Sequence, residues 1–172
     1  MPELSDLPCE ILIKIFEYCK VLPLTLVSKH FNEVIGGSSV LMRNVGIVIE
    51  EMPEYEMWIS KRKYQKILIK YQINILEETL ELIELVGQNV KELVLIRSVV
   101  RYNDIVKIFK SLPNLEVFSM VTTFMQSVSS EEKLEVPQMI KKVEFSKSEP
   151  KFLEILQNLP SLKRINFKFA AM

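Results

Sequence analysis

Histidine is nearly missing from this chain: His30 stands alone. A catalytic or zinc-binding constellation based on histidine has nothing to build from, and His30 reads as a partly exposed helix residue. Glycine is scarce too. Two of the four glycines are the pair Gly36-Gly37, and none falls in a G-x-x-x-x-G-K loop that cradles phosphate. Cys9 and Cys19 are the only cysteines. Read on one helix, they stand roughly 15 Å apart at about 1.5 Å per residue, beyond disulfide reach. They are expected as small buried hydrophobes in a reducing compartment, cytosol or nucleus. No apolar run approaches the ~20 residues of a membrane span. The opening Met-Pro-Glu has neither a basic n-region nor an apolar h-region, so no signal peptide is expected. Net charge is absent as well: 22 basic residues balance 22 acidic ones, which argues against general nucleic-acid binding. The balance conceals a split. Residues 1–60 hold four basic and nine acidic side chains, and residues 61–172 hold 18 and 13, so two functional parts are expected.

The polar clusters that remain offer little chemistry. Glu50, Glu51, Glu54 and Glu56 form an acidic run, read as a solvated loop in preference to a metal or acid–base site. Lys61-Arg62-Lys63 reads as a solvated face before a strand, in preference to a phosphate contact, and Trp58 as core. No residue set suits an enzyme, and no cofactor or metal is expected.

What the chain does have is apolar pattern. Leu7, Ile11, Leu12, Ile15, Phe16 and Cys19 recur at steps of three and four, the spacing of one helix face. Pro8 suits a first turn, with Ser5 or Asp6 as cap. A second group follows: Leu22, Leu24, Leu26, Val27, Phe31, Val34 and Ile35. Gly36-Gly37 is expected to end the last helix in a left-handed turn. About 40 residues rarely fold alone, so the rest of the protein or a partner must cover some of these side chains. The ordered set Leu7-Pro8-x-Glu10-Ile11-Leu12, then Ile15 and Phe16, then Leu26-Val27-Ser28-Lys29 and Phe31, resembles an F-box over residues 1–40. The segment Cys19–Leu24 is a few residues shorter than that family's pattern, and Pro23 stands where the family continues a helix. Phe31 stands where the family often has Trp.

The remainder, residues 41–172, repeats. Apolar-x-x-apolar-x-apolar recurs as Tyr64/Ile67/Ile69, Val90/Leu93/Leu95, Leu115/Phe118/Met120, Ile140/Val143/Phe145 and Leu162/Ile165/Phe167, with starts 26, 25, 25 and 22 residues apart. A weaker copy, Met42/Val45/Ile47, precedes them. Helical stripes alternate with these strands: Leu76, Leu80 and Ile83 up to Gly87; Ile105, Ile108, Phe109 and Leu112; and Phe152, Ile155, Leu156 and Leu159. Asn103 or Asp104 is expected to cap the second, and Pro150 with Ser148 to start the third. Residues 121–139 offer little helix. Strand–helix units of about 25 residues resemble leucine-rich repeats. In that family a polar residue three after the last strand apolar bonds backbone between repeats. Here those positions are Gln72, Ser98, Thr123, Ser148 and Ala170, four polar and one not. The chain stops three residues after Phe169 with no polar capping repeat, as a fragment or a short form of a longer protein would.

The expected fold is therefore α/β: an N-terminal helical F-box followed by a short solenoid of about five repeats with parallel strands. The resemblance implies a substrate receptor of a Skp–cullin–F-box ubiquitin ligase, performing no bond chemistry itself. It would hold a Skp-family adaptor, and through it a cullin, with Leu7, Pro8, Ile11, Leu12, Ile15, Phe16, Leu26, Val27 and Phe31. A protein target would meet the exposed strand face at Leu68, Val94, Ile96, Val117 and Val121, beyond which come Glu144, Asn166 and Lys168. That apolar strip either marks a partner site or is covered by the tail or further repeats. The other functional class is a binding module outside ubiquitination, its helices serving only as a cap.

Overall fold

A computed structural model describes residues 4–50, 62–126, 137–146 and 160–168. The expectations placed on Glu51, Glu54, Glu56, Trp58, Lys61, Ser148, Pro150, the 152–159 helix and Ala170 lie outside those residues, as does the side chain of Phe167.

The N-terminal part is three short helices. After a 3-10 turn at Leu4–Asp6, α1 spans Cys9–Phe16. Pro8, with no N–H to donate, holds the N-cap position instead of Ser5 or Asp6, and its carbonyl accepts from the Ile11 and Leu12 amides at 3.0 and 3.1 Å. A turn over residues 17–19 ends α1 before Cys19, so the two cysteines do not share a helix, and both are exposed, not buried. Helix α2, Val21–Leu24, is a single turn. Pro23 sits in its first turn, where its missing N–H is harmless. The chain then breaks, Thr25 donating through Oγ1 to the Leu22 carbonyl at 2.7 Å. Helix α3, Lys29–Gly37, is capped by Ser28, whose Oγ accepts from the Phe31 amide at 3.1 Å. It ends at Gly36-Gly37, but Ser38 beyond it is extended (φ −93°) and no described glycine has positive φ. The left-handed ending is therefore absent; the chain instead runs straight into a 3-10 turn at Leu41–Asn44.

Among the described residues eight strands follow, and every pairing between them is parallel. The main sheet is β1 (Gly46–Ile49), β2 (Lys66–Lys70), β3 (Glu92–Ile96), β5 (Val117–Val121), β7 (Lys142–Ser146) and β8 (Arg164–Lys168), in that order. The weak copy at Met42 is two residues out of phase: β1 pairs with β2 as Ile47 to Ile67 and Ile49 to Ile69, so Ile47 and Ile49, not Val45 and Ile47, stand in the rows of the later strands. The register is one-to-one, so equivalent residues line up in rows across the strands. Ile67, Leu93, Phe118 and Val143 form one inward row, and Ile69, Leu95, Met120 and Phe145 a second; all are at most 2% exposed. Helices α4 (Glu77–Val86) and α5 (Tyr102–Ser111) contribute Leu80, Ile83 and Val86, and Ile105, Ile108 and Phe109, to the same interior. Phe109 meets Phe118 edge-on, ring centroids 5.2 Å apart, the arrangement that places ring edge against ring face. Asp104 starts α5 by reaching back to accept from the Arg101 amide at 3.4 Å and its guanidinium at 3.0 Å. Where α4 ends, Gly87 lets the chain pass the last turn of α5: a Cβ there would stand 2.1 Å from the Ser111 carbonyl oxygen.

Strands β2, β3 and β5 each turn the same corner. Tyr71, Arg97 and Thr122 have φ of 57°, 48° and 51°, left-handed values that non-glycine residues seldom adopt. Their amides donate across to the Ile96, Val121 and Ser146 carbonyls. The next residues are buried and polar: Gln72, Ser98 and Thr123. The Gln72 amide donates to Ser98 Oγ at 3.3 Å, Ser98 Oγ donates to the Ile96 carbonyl at 3.0 Å, and Thr123 Oγ1 lies 3.2 Å from the Leu95 and Val121 carbonyls. The Ser98 and Thr123 side chains thereby satisfy backbone groups that the corner would otherwise strand in the interior, whereas the Gln72 side chain donates to Thr79 Oγ1 at 3.3 Å. Past it the chain forms a second, two-stranded sheet, β4 (Val99–Arg101) with β6 (Phe124–Gln126), extended by a bridge from Ile73 to Val99.

The apolar interior runs unbroken from Leu12 and Phe16, through Ile35, Leu41 and Met42, to Phe145. The helical start and the sheet thus share one core, with no separate core on either side of residue 40.

Candidate functional site

Among the described residues no group of three His, Cys, Asp or Glu is placed to hold a metal, and no helix is long and apolar enough to cross a membrane. The surfaces that stand out are apolar.

The first is on the N-terminal helices. The nine residues expected to meet an adaptor divide in two. Leu12, Phe16 and Phe31 are 0%, 1% and 5% exposed, with Phe16 edge-on to Phe31 at 4.9 Å. That is a correction: these three lie in the protein's own core, where α1 meets α3, and leave almost no surface for a partner. The others face outward, except Leu7, which packs against the core. Leu26 is 88% exposed, Val27 64%, Ile11 42% and Ile15 37%; Pro8 is exposed and Leu7 half-buried. One turn separates Leu12 from Phe16 and another Ile11 from Ile15, so α1 shows apolar side chains on two faces, one inward and one outward. Burying a side chain such as Leu26 contributes roughly 1.5–3 kcal/mol, and here that stabilisation is unused.

Two residues outside the expected set belong to this surface. Tyr18 is 91% exposed in the turn after α1, and Leu22 is 50% exposed on α2. Leu22 was visible as part of the second apolar group. Tyr18 stands seven residues after Ile11 and three after Ile15, the spacing of one helix face, and that spacing was the signal that could have found it. Beside them a cleft of about 610 Å³ opens between this turn and the 41–44 turn, lined by Phe16, Val21, Leu22, Val40, Leu41 and Arg43, among others.

The second surface is the outward face of the main sheet. Its middle row is Val48, Leu68, Val94, Ser119, Glu144 and Asn166. Leu68, Ile96, Val117 and Val121 are half-exposed as expected, but Val94 is only 9% exposed. Neighbours in its own row crowd it, so it adds little contact area. Towards β8 the face becomes polar: Glu144 accepts from Lys142 at 3.0 Å, Asn166 at 2.9 Å and Ser119 at 3.4 Å. On the β2 side Lys66 pairs with Glu92 at 2.7 Å and Lys70 with Glu50 at 2.6 Å. At the opposite ends of the strands Glu116 lies between Lys141 (2.8 Å) and Lys91 (3.3 Å). The Lys141 hydrogen bond, helped by Lys91, holds its carboxyl below the usual carboxylate range.

The short N-terminal helices thus present an exposed apolar face and share their core with the parallel sheet. The F-box-like family model matches residues 4–47. That span covers the three helices, the 41–44 turn and the first residues of β1, and an F-box-like domain there supports an F-box protein. F-box domains generally bind adaptors of the Skp family. No curated protein matches the chain.

Proposed function

We propose that the protein is the substrate-recognition subunit of a Skp–cullin–F-box ubiquitin ligase. Its F-box-like helices hold a Skp-family adaptor, and through it a cullin. Residues 41–172 act as a short leucine-rich-repeat-like solenoid that holds a protein target. The protein performs no bond chemistry, needs no cofactor, and works in cytosol or nucleus. It raises the effective concentration of target beside the ubiquitin-loaded enzyme. The observation carrying this reading is the outward apolar face of α1 and the α2–α3 segment within the stretch that matches the F-box-like family. The one-to-one parallel rows, with a buried polar residue after successive strands, support the repeat reading.

Pull-down with a Skp-family adaptor tests it. Leu7→Ala with Pro8→Ala is expected to cost ~2–4 kcal/mol of adaptor binding, the scale of interface hot spots. Adaptor retained at the unaltered level would remove those residues from the contact. One observation favours a second reading, a repeat module outside ubiquitination whose helices only cap the sheet: Leu12, Phe16 and Phe31 are already enclosed by the chain itself. A soluble monomer that ignores every adaptor would support it.

A further inference from the structure

Where the strands of the main sheet end, the corner carries a surface that neither the adaptor contact nor the sheet face uses. Ile73 bridges Val99, and Val99 pairs with Phe124, all in parallel register. The three therefore share one face of the small sheet, on rungs about 4.8 Å apart. Ile73 is 78% exposed, Phe124 48% and Val99 half-buried, whereas Val100 on the other face is fully buried. Beside this stripe stand two of the left-handed residues, Tyr71 and Arg97. Glycine would hold those backbone angles without strain. The chain instead places there a phenol ring that is 55% exposed and an exposed guanidinium, with the Arg97 Cζ 5.9 Å from the Tyr71 ring centroid. Strained backbone that presents large side chains to solvent is a mark of a working surface.

Among the described residues, the cations at the corner differ in their partners. Lys70, at the end of β2, holds Glu50 at 2.6 Å, and Arg101, at the end of β4, holds Asp104 at 3.0 Å. Among the described residues Arg97 has no carboxylate partner; its one side-chain contact of note is the Tyr71 ring. A guanidinium resting on an aromatic face keeps its outer N–H fork free, and that fork fits a carboxylate in two parallel hydrogen bonds. We infer that Tyr71, Arg97, Ile73, Val99 and Phe124 form a docking site for a protein segment that carries an Asp or Glu beside apolar side chains. The acid seats on Arg97, and the apolar neighbours cover the Ile73–Val99–Phe124 stripe. The inference rests on the reading of residues 41–172 as the target-holding part and moves the contact from the middle of the sheet to its rim.

A phage-displayed library of random 12-residue peptides tests it, panned against the full chain co-produced with a Skp-family adaptor. Adaptor co-purification is read first; its failure counts against the proposed function alone, and panning then uses the full chain by itself. Enriched peptides are expected to carry an acid next to apolar residues. Arg97→Glu and Ile73→Ser are each expected to weaken the best peptide at least tenfold, while Leu68→Ser on the sheet face changes its affinity less than twofold. Should Arg97→Glu misfold by circular dichroism, Arg97→Gly removes the charge while relieving the backbone. Loss with Leu68→Ser but not at Arg97 would keep the target-holding reading and overturn the rim. Enrichment without acids, no enrichment at all, or self-association of the chain abolished by Ile73→Ser would also overturn it.

Discussion

Leu26→Ala combined with Val27→Ala separates partner binding from folding. Leu26 is 88% and Val27 64% exposed, in the segment between α2 and α3. Truncating them removes almost nothing from the interior, so stability should stay within about 0.5 kcal/mol, as for ordinary surface changes. If an adaptor covers them, their transfer from water contributes roughly 2–4 kcal/mol in sum. That corresponds to about a 30- to 700-fold rise in adaptor Kd. Phe16→Ala is the contrasting case. It is 1% exposed, edge-on to Phe31 within the core, and its loss should cost about 3–5 kcal/mol of folding stability. Urea unfolding and titration calorimetry with adaptor, run on all three proteins, give both quantities. A double variant that binds adaptor as the unaltered chain does, or one that unfolds several kcal/mol earlier, would refute the assignment of Leu26 and Val27 to a partner surface.

Two further outcomes follow from the sheet part. Gly87→Ala sets a Cβ 2.1 Å from the Ser111 carbonyl oxygen and 3.0 Å from Leu112 Cδ2, so about 2–3 kcal/mol of stability should be lost, the range of overpacking, as read by urea midpoint; an unchanged midpoint would mean that α4 and α5 do not approach as described. Glu116, held below the usual carboxylate range by Lys141 and Lys91, contributes stability that is present above the ordinary carboxylate pKa and is lost as pH falls through the lowered one, because the unfolded chain takes up the proton first. Glu116→Gln should flatten that acid limb of the stability–pH curve, and an acid limb as steep as before would place the dependence on other carboxylates.

The rows of the sheet were legible because the inward positions repeat at a nearly fixed interval. Ile67, Leu93, Phe118 and Val143 were visible before any coordinates, and so were α4 and α5. The side of α1 that faces the core was not. Leu12 and Phe16 point in while Ile11 and Ile15 point out, and helical spacing cannot tell a stripe covered by its own chain from one awaiting a partner. The corners were hidden for a different reason. Left-handed turns are read from glycine or asparagine, and Tyr71, Arg97 and Thr122 carry no such sign. The small sheet built on those corners therefore had no local signal, and its exposed stripe was missed along with it. Cys9 and Cys19 went astray because a turn at residue 17 moved them off a common helix.

Hydrogen–deuterium exchange of the full chain, with and without a Skp-family adaptor, tests the partner-facing role of the N-terminal helices most directly. The expected result is slowed exchange in α1 and in the segment from Tyr18 to Ser28, with β3 and β5 unchanged. Exchange in that segment that is indifferent to a saturating adaptor would contradict it.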